Sequence, residues 1–254
     1  MSNKWIPFPS TKKAAKIDLL CLPYAGGNAS IYRQWDSFMP EWIAVQPIEL
    51  PGHGSRICED LIVSVEALTK QVFADVLAKQ QRPFALLGHS MGAGLAFHLS
   101  DYAAQRGVNT QALFVSGRQA PVIGKGIRPR FNLSDAELIE ELKFLNGSPP
   151  EVLENEELMS FLLPIIRADF SLSEWLLRND VNTKTSVPIR VIGARNDIEV
   201  DYKKLHLWRE NASQEIKISL MEGEHFFIHD CEKSLSNLIA SDLKLMMNEP
   251  QVLY

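Results

Sequence analysis

The sequence predicts an α/β fold: a mostly parallel central sheet with helices on both faces and an inserted helical segment. Three observations lead there. Short apolar runs alternate with stretches of helical periodicity, the pattern of βαβ units. One such run passes through a glycine-flanked serine turn, Gly88-His89-Ser90-Met91-Gly92, directly into a helical stretch. Between about residues 131 and 179 the alternation stops and helix follows helix.

The first apolar run, residues 17–22, ends at Pro23-Tyr24-Ala25-Gly26-Gly27, a loop signal. The second, residues 43–50, ends at Pro51-Gly52-His53-Gly54. Residues 64–79 place Val65, Leu68, Val72, Phe73, Val76 and Leu77 on one helical face. A buried-strand run at 84–87 precedes the serine turn, with helix continuing over 95–104. Further strands are expected at 112–115, 189–192 and 216–220, and a last helix at 235–247.

In the helical stretch, Ser134-Asp135-Ala136-Glu137 has the form of a capping box opening a helix to Leu145. Gly147-Ser148-Pro149-Pro150 breaks it, and separate helices are expected at 157–163 and 170–177. Helices inserted between strands of a parallel sheet predict a lid over the strand C-terminal edge, where ligands bind in open α/β sheets. Simple helical padding of the sheet is the alternative. The expectation is one domain over 1–254 with a lid insertion at about 131–179.

The chain has 254 residues, 46% apolar and 22% charged, which suits a globular core without disulfides or metal. Its 26 basic and 31 acidic residues give a net charge of −5. That balance argues against nucleic acid and anionic membrane as general partners. Cys21, Cys58 and Cys231 are too few and too scattered for a disulfide framework or zinc site. Lys4, Lys12, Lys13 and Lys16 precede an apolar run far shorter than a secretory signal needs, and no run spans a bilayer. A cytoplasmic protein without metal or cofactor is expected.

A serine on a sharp strand-to-helix turn needs neighbours with little or no Cβ, and its hydroxyl then stands at a helix N-terminus. Ser90 is therefore the candidate nucleophile; a helix-capping serine is the alternative. Serine needs a base, and in α/β-hydrolases the partners follow in the order serine, acid, histidine. Of the downstream histidines, His98 lies on the nucleophile's own helix and His206 in another helical stretch. His225 follows the last strand in a glycine-containing loop and is the candidate base, with His229 its rival. The acid is expected just after strand 189–192, which selects Asp197 over Asp201, in the next helix, and Asp180, at the opposite strand edge. A capping role is the alternative for Asp197. Acyl transfer also needs two oxyanion donors; the N–H groups of Met91 and Ala25 are the candidates, and the alternative for Gly26-Gly27 is a plain turn into the following helix.

The run Leu22-Pro23-Tyr24-Ala25-Gly26-Gly27-Asn28-Ala29-Ser30, with Tyr32 and Trp35, resembles the opening motif of type II thioesterases. Residues 50–56, the serine turn and Gly223-Glu224-His225-Phe226-Phe227 fit the same family, as do the lid stretches 145–153 and 163–170. The resemblance covers about residues 17–245. It implies an α/β-hydrolase that removes stalled or misprimed acyl groups from the phosphopantetheine arm of carrier proteins in nonribosomal peptide and polyketide synthases. It implies Ser90 as nucleophile, Asp197 as acid, His225 as base, Ala25 and Met91 as oxyanion donors, and a monomer. Tyr24 departs from the histidine or phenylalanine often found there, and His53 and Cys58 have no evident catalytic part.

Phe144, Leu145, Leu162, Leu163, Ile165, Ile166, Phe170 and Trp175 are expected, as a group, to line an acyl channel or pack the cap. Carrier proteins are usually acidic, so Arg118, Lys125, Arg128 and Arg130 are expected to form a basic docking rim, or else a solvated loop. A carboxylester hydrolase, a non-catalytic carrier-binding module and acyl transfer to an alcohol or amine are the competing functions.

Overall fold

A computed structural model of the chain describes residues 3–124 and 128–248. Six strands, β1 (Ile17–Leu22), β2 (Ile43–Pro47), β3 (Phe84–His89), β4 (Leu113–Ser116), β5 (Ile189–Ala194) and β6 (Lys217–Met221), form one sheet in the order β2-β1-β3-β4-β5-β6. Every pairing is parallel. All six expected strands are present, with boundaries moved by a few residues. The helices are α1 (Trp35–Phe38), α2 (Val65–Asp75), α3 (Met91–Ala104), α4 (Asp135–Leu145), α5 (Pro150–Leu153), α6 (Glu156–Asn179), α7 (Phe227–Asp230) and α8 (Glu232–Asn248).

The continuous apolar runs reflect burial on both faces of the sheet. Along β1, Leu20 and Leu22 join one core with Val65, Leu68 and Val72 of α2 and Leu95 and Leu99 of α3. Ile17, Leu19 and Cys21 point the other way, against Trp35 of α1 and Leu235, Ile239 and Leu243 of α8. Alternation along the strand thus divides one apolar run between two cores. Each fully buried side chain of this size contributes about 1.5–3 kcal/mol.

The capping box forms as expected: Ser134 Oγ accepts from the Glu137 N–H at 3.3 Å, and Glu137 Oε2 accepts from the Ser134 N–H at 2.9 Å. The two later helices are in fact one, α6, with Pro164 inside it. An internal proline costs about 3 kcal/mol. Here Leu163, Ile165 and Ile166 around it are all buried, and burial outweighs the lost hydrogen bond. The helix has two environments. Met159, Leu163 and Ile166 pack with Leu138, Leu142 and Leu153 in a separate small core, whereas Leu172 and Leu176 belong to the core on the α2–α3 face of the sheet.

Candidate active site

Ser90 stands between the last residue of β3 and the first of α3, at φ 51° and ψ −115°. A Cβ on residue 88 would collide with the Gly92 carbonyl, and one on residue 92 with the Leu22 carbonyl. The two flanking glycines therefore allow the helix to start where the strand ends. Holding a non-glycine residue in such a conformation costs about 1–3 kcal/mol, and it turns the Ser90 side chain into a cavity of about 290 Å³.

His225 reaches that cavity from the loop after β6, and Asp197 approaches from the loop after β5. The two carboxylate oxygens lie 2.9 and 3.0 Å from His225 Nδ1, with both side chains almost fully buried. Asp197 Oδ1 also accepts the N–H groups of Glu199 and Val200, at 2.8 and 3.1 Å. The carboxylate thus both caps the loop and holds the imidazole. A carboxylate accepts only, so Nδ1 carries the proton and Nε2 of the neutral ring is free to act as base. Among the described residues no hydrogen bond joins Ser90 Oγ to His225; such contacts commonly tighten only when substrate binds.

Met91, as the first residue of α3, has an N–H without an intrahelical acceptor. Gly92 fits against the Leu22 and Pro23 carbonyls, which brings the first turn of α3 against the loop carrying Ala25. Ala25 and Gly26 line the cavity beside Ser90, and among the described residues the Ala25 N–H has no acceptor.

Residues 18–242 match the family model described as "Thioesterase domain". The chain belongs to the thioesterase family. It is 38% identical over 247 residues to gramicidin S biosynthesis protein GrsT of Aneurinibacillus migulanus, covering 96% of each. Among solved structures it is similar to the type II thioesterase BorB from the borrelidin biosynthetic cluster, with 31% identity and a TM-score of 0.83 over 96% of this chain and 99% of that one. ClbQ, from the colibactin NRPS/PKS pathway, gives 27% identity and a TM-score of 0.84 over 92% and 99%.

Other side chains of this thioesterase sort by their contacts. His229 is exposed and hydrogen-bonds the Tyr24 hydroxyl at 2.8 Å. Tyr24 itself lines the cavity and meets Phe226 edge-on. His98 is bound to Asp180 at 2.9 Å, His206 to the Lys203 carbonyl at 2.8 Å, and Asp201 caps the turn that follows it. Of the expected channel residues, Leu145, Leu162, Ile166 and Phe170 line the cavity, whereas Phe144 and Trp175 are exposed on the outside. Among the described residues no group of three His, Cys, Asp or Glu side chains is placed to hold a metal ion, and no helix is long and apolar enough to cross a membrane.

The basic rim is not formed as expected. Arg118 is buried and donates to the Ser90 carbonyl at 3.2 Å and to Ser173 Oγ and O, both at 2.9 Å. Burial pushes its guanidinium down to about 10, still charged at neutral pH. Arg130 donates to Glu141 at 2.7 Å and bidentately to Glu199 at 2.6 and 2.8 Å, so its charge is spent internally. Arg128 is exposed, 3.7 Å from Glu137, and Lys125 lies outside the described residues.

Two features escaped the sequence reading. His89, inside the serine motif, is fully buried and donates from Nε2 to the His225 carbonyl at 2.9 Å; only histidines downstream of Ser90 fitted the chain-order rule. Asp169 occupies a buried position on α6. Its signal was present: a carboxylate between Ile166 and Leu172 on an otherwise apolar helical stripe.

Proposed function

We propose that the protein hydrolyses acyl thioesters held on the phosphopantetheine arm of carrier domains, clearing stalled or misprimed acyl groups from a nonribosomal peptide or polyketide synthase. The observation that carries this reading is the buried Asp197–His225 pair, whose imidazole lines the same cavity as Ser90. Similarity to a gramicidin S biosynthesis protein and to type II thioesterases supports the substrate class.

In the reaction as proposed, Ser90 Oγ attacks the thioester carbonyl carbon and His225 Nε2 takes its proton. The N–H groups of Ala25 and Met91 stabilise the tetrahedral oxyanion. As the oxyanion collapses, the C–S bond breaks and the departing sulfur takes the proton from His225. Water then attacks acyl-Ser90, losing a proton to His225, which returns it to Ser90 Oγ as the acid leaves. Asp197 orients the ring and stabilises the imidazolium without being protonated. A thiolate leaves more readily than an alkoxide, so the histidine has less work in the first step. The reading further takes the enzyme as a cytoplasmic monomer whose chemistry draws on side chains and water.

Incubating the protein with carrier domains bearing acetyl, longer acyl and aminoacyl groups, and following release by intact mass, tests the proposal. Release by the wild type and retention with Ser90→Ala is the expected result. Release by Ser90→Ala would overturn the site, and faster cleavage of a matched oxygen ester would turn the reading to a carboxylester hydrolase.

A further inference from the structure

Asp169 Oδ2 accepts the Gly26 N–H at 2.7 Å. The same oxygen lies 3.0 Å from His53 Nε2, in the loop after β2, and His53 Nδ1 donates to the Pro51 carbonyl at 3.0 Å. Both side chains are buried. One turn before Asp169, Ile166 lies where a Cβ on Gly26 would meet it at 3.2 Å, and Gly26 holds φ +77°. One turn after, Ser173 takes the Arg118 guanidinium that also holds the Ser90 carbonyl. Residues 166, 169 and 173 share one face of α6 by helical spacing. The lid helix therefore touches Gly26, beside Ala25, at two points and reaches the nucleophile's own backbone at a third through Arg118.

Burial alone pushes the His53 imidazole down, but the Asp169 hydrogen bond and charge, the Pro51 carbonyl and the Glu49 charge outweigh it and raise it overall. An imidazolium satisfies both of its acceptors, whereas a neutral ring has one N–H for two. A carboxylate buried this way is costly to maintain, and α6 needs no hydrogen-bond acceptor there for its own sake.

We propose that Asp169 is a positioning residue: from the lid helix it fixes the Gly26 peptide, and with it the neighbouring Ala25 N–H, in the orientation that receives the oxyanion. His53 holds the carboxylate in place from the opposite side. This rests on the reading of Ser90 and Ala25 given above.

The test compares Asp169→Leu, which removes the acceptor, with Asp169→Asn, which keeps one for the Gly26 N–H. Each is measured for kcat, KM and inhibition by an acyl trifluoromethyl ketone, whose serine adduct carries an oxyanion. Loss of one oxyanion donor costs about 100- to 1,000-fold in kcat, so a misaimed one is expected to cost roughly 10- to 100-fold. Asp169→Leu is expected to lose kcat by that factor at little-changed KM, with Ki rising in parallel, and Asp169→Asn to recover most of both. If Asp169→Leu does not fold, His53→Gln replaces it, with a smaller parallel change expected. Unchanged kcat in folded Asp169→Leu, or a kcat loss without the matching rise in Ki, would overturn the proposal. Activity surviving in Ser90→Ala would instead remove the site reading beneath it.

Discussion

His89 Nε2 donates to the main-chain carbonyl of His225 at 2.9 Å, tying the residue before Ser90 to the loop beyond β6. A carbonyl only accepts, so Nε2 carries the proton, and Nδ1 accepts from the Ser116 hydroxyl at 3.0 Å. The ring thus joins the ends of β3 and β4 to the loop that carries the imidazole facing Asp197.

Burial first, then the charges of His225 and His229, hold His89 well below the usual histidine range. Unfolded, it titrates near about 6.5. As pH falls through that value the unfolded chain takes up a proton that the folded chain refuses, so stability falls, by at most about 1.4 kcal/mol per pH unit. His89→Gln removes this contribution. Urea unfolding at pH 7, 6 and 5 is expected to show a shallower decline in the variant than in the wild type; parallel declines would show that His89 is not held neutral.

Asp197 has two duties that substitution separates. Asn keeps an oxygen for the Glu199 and Val200 N–H groups but disfavours the imidazolium and the required tautomer. Asp197→Asn is expected to lower kcat by about 10³- to 10⁴-fold with little change in Tm. Asp197→Ala should lose, in addition, about 1 kcal/mol of stability with the cap. Wild-type kcat in the Asn variant would exclude Asp197 as the acid.

Ser90 is strained at φ 51°, ψ −115°. Ser90→Gly should relieve about 1–3 kcal/mol and raise Tm while abolishing thioester cleavage. A fall in Tm would mean that the turn is not under strain.

Arg130 binds carboxylates of α4, α6 and the Asp197 loop, including the buried Glu174 through its own N–H. Arg130→Ala is therefore expected to cost roughly 2 kcal/mol and to weaken turnover of small and carrier-bound thioesters alike. A KM effect confined to the carrier substrate would restore Arg130 to a docking role.

Leu142 and Leu145, on α4, line the cavity. Leu142→Trp is expected to reduce kcat/KM for long acyl thioesters by about tenfold, equivalent to about 1.4 kcal/mol, and to spare acetyl. Equal losses for both chain lengths would place the acyl chain elsewhere.

Local pattern was enough for much of this molecule. Strands with both faces buried read as apolar runs, and the capping box at Ser134 is a signal four residues long. The serine turn is equally local, because its glycines are required by contacts within a few residues of Ser90. The α6 boundary was not legible: Pro164 reads locally as a break, and only the burial of its neighbours against α4 and α5 keeps the helix continuous.

By itself the sequence determined the order of strands and helices, the strand-to-helix serine turn, and Asp197 and His225 as residues following strands. Tertiary structure alone decided which charges meet. It turned Arg118 and Arg130 inward from an expected surface rim, paired His229 with Tyr24, and set Asp169 of α6 against Gly26 and His53. The physical reason is range: backbone conformation and apolar periodicity are set by near neighbours in the chain. The partner of a buried charge is whatever acceptor or donor packing delivers to it, for Asp169 from more than a hundred residues away.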